Sequence, residues 1–120
     1  HVLRDEPRAV ELGSGCGLVA VALKRVGLAV TATDTPSVVP ILEENVRLAL
    51  GAGPGAGAAD GVEVLPFDWA DAAPPPGLLA GPPADLVVCC DCVYASLSVQ
   101  PLLRALLALC PPPGGAEAKT

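Results

Sequence analysis

The sequence predicts an α/β domain built on a parallel sheet, with a ligand held at one edge of it. Three observations point there. Short apolar runs alternate in order with helix-forming runs, the pattern of parallel strands joined by right-handed crossovers. A glycine-rich bend, Gly13-Ser14-Gly15-Cys16-Gly17, links the first apolar run to the first helix-forming run. Gly13, Asp34, Trp69 and Asp91 each follow the carboxyl end of a different run, which is the edge where such sheets bind ligands.

The first strand is read over residues 8–12 and the first helix over 18–26. That helix is apolar nearly all round until Lys24-Arg25, so it is expected to be largely covered. The two charges suit its C-terminal end, and Gly27 stops it. Residues 28–33 form the second strand, ending at Asp34. The second helix spans 37–50, with Ser37 as its cap and Pro40 in the first turn, where a missing N–H costs little. Val38, Leu42, Asn45, Val46 and Ala49 share one side of it, and Glu43, Glu44 and Arg47 the other. Residues 51–61 are an Ala/Gly low-complexity connection, expected to be mobile and of little functional content. Residues 62–66 are a short third strand. The Pro-, Ala- and Gly-rich stretch 70–83 reads as a loop, with one turn at Leu78-Leu79. The fourth strand, 84–90, is apolar after Asp85 and is expected to be buried on both faces. The last helix runs over 97–110, with Val99, Leu102, Leu103, Leu106, Leu107 and Cys110 as its apolar face, and Pro111-Pro112-Pro113-Gly114-Gly115 ends it.

Strand, glycine turn and helix together bring backbone N–H groups close to a nucleotide-like ligand. Gly13 can take a turn conformation closed to other residues, Gly15 leaves bare backbone for a ligand, and Gly17 lets the helix start close to the strand. Dinucleotide-binding domains carry a similar turn, and a tight turn with no ligand would use the same glycines. Two details lean elsewhere. Leu18 stands where the dinucleotide form wants a third small residue. Glu11 stands at the end of the strand, where it would repel phosphates but attract the ammonium and sulfonium of S-adenosylmethionine (SAM). Asp34 lies at roughly the 20-residue spacing at which an acid meets a ribose, although it could merely cap a turn before Pro36. Asp68 could accept from an adenine amino group, and Trp69 could cover the purine face or simply close the small core.

Composition narrows the class. The chain has 120 residues, enough for at most one domain. Hydrophobic residues make up 52% and aromatics only 2%, so the core is built of small aliphatic side chains. A net charge of −6 argues against a nucleic-acid partner, which needs clustered Lys and Arg, and leaves a basic protein substrate open. Cys16, Cys89, Cys90, Cys92 and Cys110 show neither a disulfide framework nor a zinc spacing. They read as reduced thiols of a cytoplasmic protein, with Cys89 and Cys90 in buried strand. No apolar run approaches the roughly 18 residues of a membrane span, and no signal peptide is visible. The chain opens on His1 and closes where a further strand could begin, so a piece of a longer domain is expected.

Taken together, these residues resemble the class I, seven-β-strand SAM-dependent methyltransferases. The likeness is to the protein-lysine methyltransferases with an Asp-x-x-Tyr motif after the fourth strand. Leu12-Gly13-Ser14-Gly15-Cys16-Gly17-Leu18-Val19 is similar to that family's first motif. Thr33-Asp34-Thr35-Pro36-Ser37-Val38 resembles its second, Asp68-Trp69 its adenine-side motif, and Asp91-Cys92-Val93-Tyr94 its signature after strand four. The resemblance implies a Rossmann-like fold, with strand order 3-2-1-4 in this stretch and the family's later strands and leading segment missing. It implies SAM as cofactor. Gly13, Ser14 and Gly15 would line its methionine part, with Glu11 and Gly17 shaping that pocket. Asp34 would hold the ribose, Asp68 and Trp69 would sit by the adenine, and Cys90 would touch the cofactor through backbone. Asp91 and Tyr94 would face an incoming lysine, Asp91 to capture and align it and Tyr94 to narrow the channel. The implied activity is methyl transfer to a lysine of a cytosolic protein, of the chaperone, AAA ATPase or elongation-factor type, by a monomer with no membrane partner. Without the later strands, residues 86–92 would border an open sheet edge. A non-catalytic SAM-binding module, a truncated isoform and a small-molecule methyltransferase are the other readings. A nicotinamide oxidoreductase fits less well, because of Glu11 and Leu18.

Overall fold

In the computed structural model, residues 5–51, 61–71, 73–94 and 99–111 are described. Most of the 51–61 connection, the first residues of the expected last helix and most of its Pro/Gly terminator lie outside them. The elements follow in the order β1 (Arg8–Glu11), α1 (Leu18–Arg25), β2 (Ala29–Asp34), α2 (Val39–Leu50), β3 (Glu63–Pro66), α3 (Pro76–Leu79), β4 (Leu86–Val88) and α4 (Val99–Leu109). The strands form one parallel sheet in the order β3-β2-β1-β4, the order expected of a Rossmann-like α/β fold.

Alternation along the strands divides the core into two layers. Ala9, Val30 and Ala32 pack with Ala20 of α1 and with Leu42 and Val46 of α2. Val10 and Leu12 pack on the other face with Phe67, Leu78 of α3, and Leu102, Ala105 and Leu109 of α4. Small residues let α1 approach closely. A Cβ at Gly17, whose φ is +92°, would stand 3.0 Å from Leu42 Cδ1 and 3.1 Å from Val46 Cγ2. At the far end of the sheet the Arg8 guanidinium donates to the carbonyls of Leu78 and Pro82, and its backbone N–H donates to Asp85 Oδ2. These bonds fix the connection that leads into β4.

Five expectations change. α1 is not largely covered: Ala20 is its buried residue, while Leu18 is 75% exposed. It lies over the sheet on one side only, so its apolar outer face remains at the surface. Ser37 does not cap α2. The N-cap is Val38, with no side-chain cap bond, and the Ser37 hydroxyl instead sits 3.3 Å from the Thr35 hydroxyl. The Thr35 carbonyl receives the N–H groups of Val38 and Val39 and starts the helix in place of a side chain. The fourth strand is shorter than read and is not buried on both faces, because it is an edge strand with Leu86 exposed. Only Cys92 of the cysteines is buried, and Cys90 is exposed, although all five are free. The face of α4 is also rotated. Leu102, Ala105 and Leu109 are buried, while Val99, Leu103, Leu107 and Cys110 are exposed. The Pro/Ala/Gly loop does contain a single helical turn, α3, at Leu78-Leu79.

Candidate functional site

The carboxyl ends of β1, β2 and β3 and the segment after β4 meet around one cleft of about 550 Å³. Gly13, Gly15, Asp34, Asp68, Trp69 and Tyr94 all line it. Residues far apart in sequence therefore converge, as a parallel sheet requires of its strand ends.

The glycine turn is backbone bent back on itself. Gly13, Gly15 and Gly17 all have positive φ, at +66°, +56° and +92°. A Cβ on Gly13 would come within 2.9 Å of Cys92 Sγ and 3.1 Å of Trp69 Cζ2. The turn thus rests directly on the residues that form the cleft floor. A Cβ on Gly15 would meet nothing within 4 Å, so its backbone borders open space. The Gly15 N–H donates to Asp34 Oδ2 at 2.8 Å, and the Thr35 N–H donates to Asp34 Oδ1 at 2.7 Å. The Asp34 carboxylate is therefore fixed by backbone on both oxygens. Each oxygen retains a further lone pair for a hydroxyl donor.

Glu11, Ser14 and Gly17 lie behind the turn rather than on the cleft wall. Glu11 is 2% exposed, and its Oε2 is a buried atom with no hydrogen-bond partner among the described residues. Its pKa is raised, first by burial and further by the nearby negative charge of Asp34; the Ser14 hydroxyl and the Ala20 backbone N–H pull the other way. A buried carboxylate without a full set of donors is costly, and a cationic ligand group would relieve it. The Ser14 hydroxyl is turned into the seam between β1 and β2, where it accepts the Thr33 N–H at 3.2 Å.

Asp68 lines the cleft with Oδ1 bonded to the Ala70 N–H at 2.9 Å. Trp69 is half-buried and packs against the α3/α4 core layer while bordering the cleft. Tyr94 is half exposed at the mouth. Cys90 and Asp91 are exposed and do not line the cleft. Asp91 has φ +55°, the only positive value outside glycine among the described residues.

Several lining residues escape a reading of the sequence. Cys92 is a floor residue, its thiol 3.3 Å from the Leu12 carbonyl and pushed up to about 11 by burial and by the neighbouring thiols and acids. Thr35, Phe67, Val93, Val99 and Leu102 also border the cleft. Phe67 was traceable: it directly precedes Asp68, and its N–H donates to the Asp34 carbonyl at 2.8 Å. For Val99 and Leu102 there was no local signal, because the packing of α4 brings them there. Among the described residues, no Lys, Arg or His lines the cleft. No helix among the described residues is long and apolar enough to cross a membrane.

Comparison with known proteins agrees with this architecture. No curated protein matches the chain. Among solved structures, that of the S-adenosylmethionine-dependent methyltransferase SibL in its apo form is similar, with a TM-score of 0.54 and 21% identity. The match covers 82% of this chain and 26% of that one, so the chain spans about a quarter of that neighbour's length. The likeness concerns the fold alone, a parallel sheet of the Rossmann-like methyltransferase type. A family model described as "Lysine methyltransferase" matches residues 3–114, the span that contains the glycine turn, Asp34, Asp68-Trp69 and Asp91-Cys92-Val93-Tyr94; the chain belongs to the lysine methyltransferase family.

Proposed function

We propose that this chain forms the cofactor-binding half of a SAM-dependent protein-lysine N-methyltransferase. One observation carries the reading. A buried, incompletely partnered carboxylate, Glu11, lies behind a glycine turn that lines one cleft together with Asp34 and Trp69. Those residues suit a ligand with a cationic amino-acid end, a ribose and a purine. Asp34 would receive the ribose hydroxyls, Trp69 the purine face, Asp68 the adenine amino group, and Glu11 would supply negative charge toward the ammonium and sulfonium. When bound, SAM supplies an activated methyl group, and no covalent enzyme intermediate is needed.

The chain's own residues then have three tasks: holding the ligand, excluding water and aligning an amine. The apolar wall of Val93, Val99 and Leu102 disfavours a charged ammonium and so favours the neutral, nucleophilic amine. Tyr94 at the mouth offers a ring and a hydroxyl to the incoming side chain. Asp91 would capture the lysine as it approaches. The acids Asp34 and Asp68 on the cleft wall and the net charge of −6 support a cationic ligand. A chaperone-, AAA ATPase- or elongation-factor-type substrate in the cytoplasm, met by a monomer, is the reading carried over from the sequence motifs.

One observation favours the second reading, a SAM-binding module without transfer: Asp91 is exposed and off the cleft wall. Titration separates the two. Trp69 is the only tryptophan, so its fluorescence should change as SAM is added. Methylation of a peptide array is then measured with wild type and with Asp91→Asn. Asparagine tolerates the left-handed backbone at this position, whereas alanine would add strain. Retained SAM binding with transfer reduced by at least about tenfold supports a role for Asp91. Unchanged transfer removes Asp91 from the mechanism, and binding without transfer in wild type favours the module.

A further inference from the structure

The regular pairing of β1 with β2 ends at Glu11 and Ala32. Beyond that pair β1 must leave the sheet to form the glycine turn, while β2 continues to Asp34. Two diverging strands would ordinarily leave backbone groups unpaired. Here side chains carry the seam one step further. The Thr33 hydroxyl donates to the Glu11 carbonyl at 2.8 Å. The Thr33 N–H donates to the Ser14 hydroxyl at 3.2 Å, and the Ser14 N–H donates to the Thr33 carbonyl at 2.8 Å. Thr33 is fully buried and does not itself line the cleft.

The residue on either side of this seam is the one that matters for binding. Asp34 follows Thr33, and Gly15 follows Ser14, and these two meet through the 2.8 Å bond from the Gly15 N–H to Asp34 Oδ2. We infer that Thr33, acting with Ser14, is a positioning residue. It sets the spacing between the glycine turn and the Asp34 carboxylate, and so the fit of an adenosyl ligand, without touching that ligand. The inference rests on the SAM-binding reading above. It also gives Ser14 a different part from direct contact with ligand, since its hydroxyl faces the seam.

The chemistry of the position is specific. A β-branched residue suits the strand, and the hydroxyl must both exist and point along the backbone. Valine keeps the shape but removes the 2.8 Å hydroxyl bond to the Glu11 carbonyl, which the Ser14 hydroxyl approaches only at 3.5 Å. Serine keeps the hydroxyl and loses one methyl group.

SAM affinity is measured by calorimetric titration, and thermal stability in parallel, for wild type, Thr33→Val, Thr33→Ser and the same changes in an Asp34→Ala background. Thr33→Val should weaken SAM binding about five- to tenfold, and Thr33→Ser should stay within about twofold of wild type. In the Asp34→Ala background the valine penalty should largely vanish, because the residue acts through Asp34. A melting temperature lowered with unchanged affinity would mean a purely structural residue and would overturn the inference. So would an equal loss in both Thr33 variants. If Thr33→Val does not fold, Ser14→Ala provides the same measurement from the other side of the seam, and unaltered affinity there overturns it as well. Failure of wild type to bind SAM removes the proposed function together with this inference, whereas wild-type binding with no effect of either variant removes the inference alone.

Discussion

At Glu11 two demands oppose one another. Burial holds its proton to a pH above the ordinary value of 4.5. Between that value and the raised one, the folded chain binds more protons than the unfolded chain, so stability falls as pH rises through the window. Glu11→Gln should therefore raise the melting temperature of the ligand-free protein at about pH 7, and the gain should shrink as pH falls toward the ordinary carboxylate range. Thermal melts across that range check it. SAM affinity should move the other way: it should strengthen with pH through the same window in wild type and lose that dependence in Glu11→Gln. Asp34 is simpler. Both oxygens are held by backbone, so Asp34→Ala removes a fixed acceptor and should weaken SAM binding roughly ten- to hundredfold by titration. Glu11 and Asp34 were legible in the sequence because an acid at the end of a strand is conspicuous in an apolar run. That Glu11 lies behind the turn was not, since burial depends on what α1 covers.

The elements divide by how much of their environment is local. α1 starts where it does because Gly17 has no side chain to hold it off Leu42 and Val46. Gly17→Ala meets both that contact and a positive φ, and should cost roughly 1–3 kcal/mol in urea unfolding. α4 tests a different point. Its periodicity marks a broad apolar surface, and sequence alone assigned Leu102 and Leu103 to the same face. Their surroundings differ: Leu102 is 4% exposed and Leu103 is 44%. Leu102→Ala should cost about 2–5 kcal/mol, and Leu103→Ala no more than about 0.5 kcal/mol. Equal losses would mean that α4 sits at another rotation. A run of leucines on all sides contains no information about which third of the helix meets the sheet. The start of α2 is similar. A serine near a helix start is a reasonable cap, but the backbone carbonyl of Thr35 already receives the first N–H groups.

For the molecule as a whole, the sheet is the frame. β1 and β2 are central, paired on both sides, and mostly buried. β3 and β4 are edges with exposed residues. Amide hydrogen exchange should be slowest in Val10 and Ala32 and markedly faster at Val87, because edge strands open without disrupting the core. Comparable protection at Val87 would mean that β4 is covered in solution. The sequence by itself determined the alternation of strands and helices, the parallel sheet, the glycine turn and the acids at the strand ends. Each of these is a local signal: a run of apolar residues, a residue that alone tolerates positive φ, a charge where the pattern is apolar. Tertiary structure alone decided which of those end residues share the cleft. It brought Gly13, Asp34, Asp68, Trp69 and Tyr94 together, left Asp91 and Cys90 at the surface, and seated Cys92 under the turn. The reason is physical. Strand order and helix rotation are fixed by packing between residues distant in the chain, and no short stretch of sequence contains both partners.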